Sequence, residues 1–269
     1  MTAHLRSSPS TSSTEKPSGS VLDAHASKAP AVTLGFWLIK IAATTLGETG
    51  GDAVTMSLHF GYLLGTAFFA AIFIVAVIAQ IAAKRFHSFL YWLVIIATTT
   101  VGTTMADFFD RSLGIGYLGG SIILAALLVG SLFAWYRTCG TVSVESVTTP
   151  RAEVFYWATI LFSQTLGTAL GDFLADSGGF GYGGGALVFS GALVIVALLY
   201  GFTQISRVGL FWAAFILTRP LGATVGDFLD KPVAQGGLDW SRFTASTVLS
   251  VFILACILII PQRPGRHPA

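Results

Sequence analysis

The chain has 269 residues, of which 54% are hydrophobic and only 10% are charged, with a formal net charge of +2 and a mean hydropathy of +0.75. Soluble domains carry roughly 25% charged residues, so this composition excludes an ordinary soluble globular protein and favours one built for lipid. The two cysteines, Cys139 and Cys256, form neither a disulfide framework nor a zinc-binding spacing. The basic residues are dispersed, which argues against nucleic-acid binding.

Residues 1–30 are rich in Ser, Thr and Pro and contain no apolar core, which predicts a disordered tail. Eight apolar stretches follow, each of about 17–25 residues and therefore long enough for a membrane-spanning helix. They lie near 33–51, 60–81, 88–107, 114–136, 153–172, 182–203, 208–227 and 243–260. Because the apolar runs are continuous rather than alternating, they argue against a β-barrel. The sequence predicts an all-α integral membrane protein with eight transmembrane helices.

The eight stretches form four copies of a two-helix repeat. In each copy a Trp is followed ten residues later by a Gly and fifteen residues later by an Asp. The copies read FWLIKIAATTLGETGGD, YWLVIIATTTVGTTMAD, YWATILFSQTLGTALGD and FWAAFILTRPLGATVGD. Two helices per repeat keep successive copies in one orientation, which predicts a pseudo-symmetry axis along the membrane normal. We expect the four motif helices to form a ring with the second helices packed around it.

The repeat spacing divides the chain into two halves. Repeats one and two occupy 31–137, and repeats three and four occupy 153–262. We predict that a cytoplasmic linker at 138–152 joins them and that residues 263–269 form a short cytoplasmic tail.

The basic residues predict the orientation of the chain. An even number of helices places both termini on one side, and ten Lys and Arg residues fall on that side. The other side has only Arg111, Lys231 and Arg242. The positive-inside rule therefore predicts cytoplasmic termini in a bacterial inner membrane, with the motif helices running outward. The four motif Trp residues would form an aromatic belt at the cytoplasmic ends of their helices.

Each motif helix delivers one carboxylate to its outer end, at Asp52, Asp107, Asp172 and Asp227. Four converging carboxylates persist only when protons, cations or basic side chains neutralise them. Oxygen ligands suit hard divalent cations, so the sequence predicts an outward-facing carboxylate ring that binds a metal ion. The alternative is that each Asp caps a helix end or a loop.

Charged residues also follow the motif aspartates by three or four positions. These residues are interpreted as a surface ion-pair fringe, which contributes little to stability. They are Asp110, Arg111, Asp176, Asp230 and Lys231.

Three further charged residues occur inside the apolar stretches, each in one repeat only. Glu48 lies one turn deeper than Asp52 on the same helix face and is predicted to be a deeper metal ligand or a proton carrier. Its alternative role is a protonated side chain that holds helices together. Lys40 and Arg219 each lie eight residues before an acid and are predicted to be coupling charges that neutralise the site when a cation leaves.

The segments TLGETGGDA, TVGTTMADF and TLGTALGDF resemble an uncharacterised bacterial multi-pass membrane family whose members are labelled as predicted membrane-anchored proteins. The resemblance covers about residues 33–260 and implies a multi-pass membrane fold without implying an activity. A more distant similarity is to small manganese and calcium exporters, which carry Glu-x-Gly-Asp in a transmembrane repeat. Here Glu48 and Asp52 are separated by one extra residue, so no residue role transfers from that family.

The sequence therefore predicts a membrane transporter of a cation, with a divalent metal ion such as Mn²⁺ as substrate. The other interpretation is a scaffold or sensor that transports nothing and in which the Asp ring is structural. No nucleophile motif supports an enzyme, and no cofactor is expected. The expected partners are the lipid bilayer and the metal cation, and association of several copies of the chain stays open.

Overall fold

Helices account for most of the structure, a computed structural model that describes residues 26–266. Within those residues there are eight α-helices: α1 (Leu34–Asp52), α2 (Gly61–Ala82), α3 (Ser88–Asp107), α4 (Tyr117–Cys139), α5 (Pro150–Asp172), α6 (Gly181–Phe202), α7 (Arg207–Asp230) and α8 (Arg242–Ile259). Two short strands, β1 (Ala26–Pro30) and β2 (Pro264–Arg266), pair antiparallel. The predicted all-α class, with two helices for each of four repeats, is confirmed.

The four motif helices α1, α3, α5 and α7 form a closed ring. Each contacts the next in chain order, and α7 returns to contact α1. The second helix of each repeat packs on the motif helix of the following repeat, so that α2 lies on α3, α4 on α5, α6 on α7 and α8 on α1. The expected arrangement of an inner ring with outer helices around it is therefore present.

Glycines close the ring, because each motif helix meets the next at a glycine with no room for a side chain. A Cβ on Gly222 of α7 would stand 2.8 Å from the carbonyl carbon of Thr44 in α1. The matching contacts of the other helices are Gly47 with Thr99, Gly102 with Gln164, and Gly167 with Arg219. We call Gly47, Gly102, Gly167 and Gly222 the seam glycines. Small residues of this kind let helix backbones approach closely, which explains the Gly ten residues after each Trp.

The outer helices present an apolar surface. Large side chains such as Leu63, Val129, Leu187 and Leu258 are more than half exposed on α2, α4, α6 and α8. Six helices, all except α1 and α5, are long and apolar enough to cross a membrane. This surface is consistent with a multi-pass membrane protein. The sequence predicted eight spanning stretches, and the two described helices that fall short, α1 and α5, both belong to the inner ring of motif helices.

The described ends of the chain meet at the end of the ring where the motif Trp residues lie, which we call the Trp end. Ala26 is paired with Arg266, and Pro30 with Pro264. Lys28 forms a 2.7 Å ion pair with Glu153 at the start of α5. The prediction of disorder over 1–30 is therefore wrong for Ala26–Pro30, because β2 supplies a backbone partner that the sequence did not reveal. The rest of that segment lies outside the described residues.

The predicted aromatic belt is also wrong. Trp92, Trp157 and Trp212 are at most 5% exposed, and Trp37 is half-buried against the same core. The indole of Trp212 donates a hydrogen bond to the Val142 carbonyl at 2.9 Å. The outer helices and the loops of the Trp end cover these side chains, so they form an aromatic core rather than a lipid-facing belt.

The seam glycines generate a stability prediction. Replacing Gly222 with Ala should lower the free energy of unfolding by about 1–3 kcal/mol, since the added methyl group forces α1 and α7 apart. Thermal unfolding of the purified protein in detergent, followed by circular dichroism, measures the change. Gly191→Ala on α6 is the matched control, since a Cβ there meets nothing within 4 Å. Equal melting temperatures for the two variants would show that the seam glycines are not needed for close packing of the motif helices.

Candidate functional site

A column of buried side chains runs along the axis of the ring. The residues that lie zero, four, eight and twelve positions before each motif Asp form successive layers, because positions four apart share one helix face. The first layer is Asp52, Asp107, Asp172 and Asp227, all at most 3% exposed. The next layers are Glu48, Thr103, Thr168 and Ala223; Thr44, Thr99, Gln164 and Arg219; and Lys40, Ile95, Ile160 and Phe215. All seven residues predicted for the site lie in this column.

Glu48 and Arg219 form a buried ion pair across the ring. The Arg219 Nη2 atom lies 2.9 Å from Glu48 Oε2, although the two residues belong to repeats one and four. The same nitrogen donates to Thr103 Oγ1 at 2.6 Å and to the hydroxyl of Thr168. One guanidinium group therefore joins side chains from all four motif helices. The sequence placed Arg219 with Asp227 of its own repeat, whereas the structure pairs it with Glu48.

Lys40 lies deeper in the column and has a different environment. Its ammonium stands 4.2 Å from the centre of the Phe215 ring, and the residue is wholly buried. Among the described residues, Lys40 Nζ has no hydrogen-bond partner. Beyond it, the hydroxyls of Tyr91 and Tyr156 lie 2.6 Å apart and close the column at the Trp end.

The four motif aspartates form two bridged pairs. Lys231 Nζ lies 2.9 Å from both Asp52 Oδ2 and Asp227 Oδ1. Arg111 lies 2.8 Å from Asp107 Oδ1 and 3.4 Å from Asp172 Oδ2. The interpretation as a surface fringe is therefore wrong for Lys231, which is buried. Arg111 is partly exposed but bridges two buried aspartates. A short π-helical turn follows each of α1, α3 and α5. These turns, and the last turn of α7, bring the residues that follow each motif Asp over the end of the column.

Asp230 joins the first of these pairs and was missed as a site residue from the sequence. One carboxylate oxygen each of Asp52, Asp227 and Asp230 lies within 4.8 Å of the others. The guanidinium of Arg242 lies 3.0 Å from Asp230 Oδ2 and 3.6 Å from Asp52 Oδ2. The second oxygens, Asp52 Oδ1 and Asp230 Oδ1, are buried and have no hydrogen-bond partner among the described residues. We call Asp52, Asp227 and Asp230 the acidic triad.

The sequence did indicate that Asp230 lies near the site, because it follows the motif residue Asp227 by three positions. Positions three and four apart lie on one helix face, so Asp227, Asp230 and Lys231 could have been recognised as neighbours. The contribution of Asp52 from the distant α1 had no sequence signal of this kind.

Acids outnumber bases at this end of the column. Within the described residues, the ion-pair network contains six carboxyl groups, from Glu48, the four motif aspartates and Asp230, and only four basic groups. The basic groups are Arg111, Arg219, Lys231 and Arg242. Two negative charges are left over when all groups are ionised. Buried charges require partners, so this site has the electrostatics to hold protons or a cation.

Lys231 remains charged in this setting. Burial alone would lower its pKa, but the neighbouring carboxylates of Asp227, Asp52 and Asp230 outweigh burial, and the pKa of the ammonium is raised. Its backbone is held by two hydrogen bonds, from Lys231 N to the Asp227 carbonyl and from Asp239 N to the Lys231 carbonyl, both 2.9 Å long. The chain thus supplies a positive charge beside the acidic triad.

Each of the four repeats matches the family described as Repeat of Unknown Function (DUF347), over residues 35–86, 90–141, 155–206 and 210–260. The matched segments span most of the chain and confirm the repeat predicted from the Trp, Gly and Asp spacing. No curated protein and no solved structure matches the chain.

The Glu48–Arg219 pair generates a second prediction. Arg219→Met should lower the free energy of unfolding by about 3–5 kcal/mol, because it leaves a buried carboxylate without its partner. The double variant Glu48→Gln/Arg219→Met should lose less than the sum of the single variants, since neither charge remains. Chemical denaturation in detergent measures both, with exposed Arg137→Met as the control. Strictly additive losses would show that the two side chains do not interact.

Proposed function

Because the chain belongs to the DUF347 family, whose repeat is described as one of unknown function, we propose its function from the geometry. The protein is a multi-pass membrane transporter of a cation, and the substrate is a divalent metal ion such as Mn²⁺. The acidic triad is the site that receives the ion, and the polar column below it is the route.

The acidic triad is the observation that carries this proposal. Its oxygens lie close enough together to surround one ion, and Asp52 Oδ1 and Asp230 Oδ1 are free to act as ligands. Carboxylate oxygens are the ligands that hard divalent cations prefer. The excess of buried acids over bases supplies the negative charge that such an ion requires.

Below the triad, titratable groups continue along the axis. Glu48 lies one turn deeper and Lys40 three turns deeper on the same helix, and both are buried. Intramembrane ionisable residues mark ion and proton pathways in membrane proteins. Tyr91 and Tyr156 block the column at the Trp end, so passage of an ion requires a second conformation in which these rings separate.

We place the protein in a bacterial inner membrane with both termini in the cytoplasm and the acidic triad facing outward. The excess of Lys and Arg in the loops of the Trp end supports this orientation. The pairing of β1 with β2 puts the described ends of the chain on that same side.

Cysteine labelling tests the orientation. Single cysteines at exposed Asp176 and Val233, in a background without Cys139 and Cys256, should react with an impermeant thiol reagent in intact spheroplasts, because both positions face outward. Cysteines at exposed Lys84 and Gln204 should react only after lysis. The reverse pattern would invert the orientation, and mass-tagged gels read out either result.

Ion flux tests the function itself. Proteoliposomes containing the purified protein should transport Mn²⁺ into a trapped metal-sensitive dye. Asp52→Asn and Asp230→Asn should each weaken the apparent Mn²⁺ affinity by about tenfold or more, since substitution of even the outer partners of a metal ligand costs roughly 10–100-fold. Asp176→Asn, which changes an exposed carboxylate outside the ion-pair network, is the matched control. Wild-type affinity in both triad variants would remove the triad from the transport site.

A second function, a scaffold or sensor that transports nothing, is favoured by one observation. Every motif Asp has a basic partner, from Lys231 or Arg111, so the network can hold the four motif helices together without an ion. Under this function, wild-type proteoliposomes would show no flux of Mn²⁺, Mg²⁺ or Ca²⁺. The triad variants would then change only the stability of the protein.

A further inference from the structure

Lys231 occupies the place where a cation bound to the acidic triad would lie. Its ammonium is 2.9 Å from one oxygen of Asp52 and 2.9 Å from one oxygen of Asp227, so it bridges two of the three triad residues. An ammonium is a compact point charge on a flexible four-carbon stem. In shape and charge it resembles a monovalent ion that is permanently attached to the site.

We propose that Lys231 is a tethered competitor for the cation site, which the arriving ion displaces and which returns when the ion leaves. This inference rests on the proposed function, because it assigns a regulatory role to a residue of the same site. The competition sets the affinity of the site for the ion and neutralises the carboxylates while no ion is bound.

The local charge balance supports displacement of Lys231. The triad contributes three carboxylates, and Lys231 and Arg242 contribute two positive charges, so the cluster carries one net negative charge with Lys231 in place. With the ammonium removed, the cluster carries two negative charges. That value matches the charge of one divalent cation, and the exchange of Lys231 for a divalent ion leaves the buried cluster neutral.

The structure also permits the movement. The backbone of Lys231 is held at its nitrogen and carbonyl, whereas the side chain lies at the edge of the column and is 9% exposed. The proposed exchange needs only rotation of the stem, which would carry the ammonium outward and leave α7 in place. Pro232 follows directly, and the residues after it fold back on the end of α7 through the hydrogen bond from Leu238 N to the Phe228 carbonyl.

Arg111 offers an informative contrast at the other bridged pair. Its guanidinium is larger, is about one-third exposed and contacts Asp107 and Asp172. A planar guanidinium matches carboxylates through several fixed donors and does not mimic an ion. The two pairs thus differ in chemistry, with a structural bridge at Arg111 and an exchangeable one at Lys231.

Equilibrium binding of Mn²⁺ to the full-length protein in detergent tests the inference, with free Mn²⁺ measured by electron paramagnetic resonance. Lys231→Met should tighten Mn²⁺ binding by about tenfold or more, because it removes a unit positive charge within a few ångströms of the ion. Lys231→Arg keeps the charge but replaces the exchangeable ammonium with a guanidinium that matches carboxylates through several fixed donors, so it should weaken Mn²⁺ binding relative to the wild type. Lys84→Met, at an exposed position between α2 and α3, is the control and should bind as the wild type does.

Thermal unfolding gives a second, independent measurement. Without metal, Lys231→Met should melt at a lower temperature than the wild type, since two carboxylates lose their shared partner. Saturating Mn²⁺ should raise its melting temperature by more than it raises that of the wild type, because tighter binding stabilises the folded state further.

The outcomes separate this inference from the proposed function. Equal Mn²⁺ affinity in the wild type and in Lys231→Met, with binding lost in Asp230→Asn, would overturn the competitor and leave the cation site in place. Failure of the wild type, Lys231→Met and Lys84→Met alike to bind Mn²⁺, Mg²⁺ or Ca²⁺ would overturn the cation site and the competitor together. Binding seen only in Lys231→Met would support the competitor in its strongest form.

Discussion

The close approach of the four motif helices at the seam glycines is the contact on which the rest of the structure depends. Each glycine lets the next helix place a side chain against its backbone, so the four motif helices close into a ring. Positions four residues apart then stack along one axis. A single repeated glycine therefore aligns the aspartates, Glu48, Arg219 and Lys40 in one column.

The column reverses the usual division between core and surface. Polar and charged residues fill the axis, whereas the outer helices expose Leu, Ile, Val and Phe. An isolated buried charge would be very costly, so a buried guanidinium requires partners. Arg219 meets this requirement by joining Glu48 to Thr103 and Thr168, and this contact ties all four repeats together at one point.

Differences between the repeats give the ring its chemistry. The aspartate layer is uniform, but the layers below contain one Glu and one Lys, both in repeat one, and one Arg, in repeat four. The residues that follow the motif Asp by four positions also differ, with a base only in repeats two and four, at Arg111 and Lys231. As a result, one side of the Asp layer is a guanidinium bridge and the other is a triad with free oxygens.

The repeat, the number of helices and the seven charged residues of the column could be predicted from the order of residues alone. The spacing of Trp, Gly and Asp is recognisable in the sequence because each repeat is a continuous segment with its own apolar pattern. The sequence also identified Glu48, Lys40 and Arg219 as candidate site residues, because isolated charges within apolar stretches are rare. None of these inferences needed knowledge of which helix lies beside which.

The partners of the charged side chains follow only from the way the helices pack together. Arg219 lies far along the chain from Glu48, and Lys231 lies equally far from Asp52, so no local periodicity could have paired them. The burial of the motif Trp residues and the strand formed by Ala26–Pro30 were missed for the same reason, since the covering loops and β2 come from distant segments. Sequence spacing predicts which residues share a face of one helix, whereas only the closing of the ring determines which faces meet.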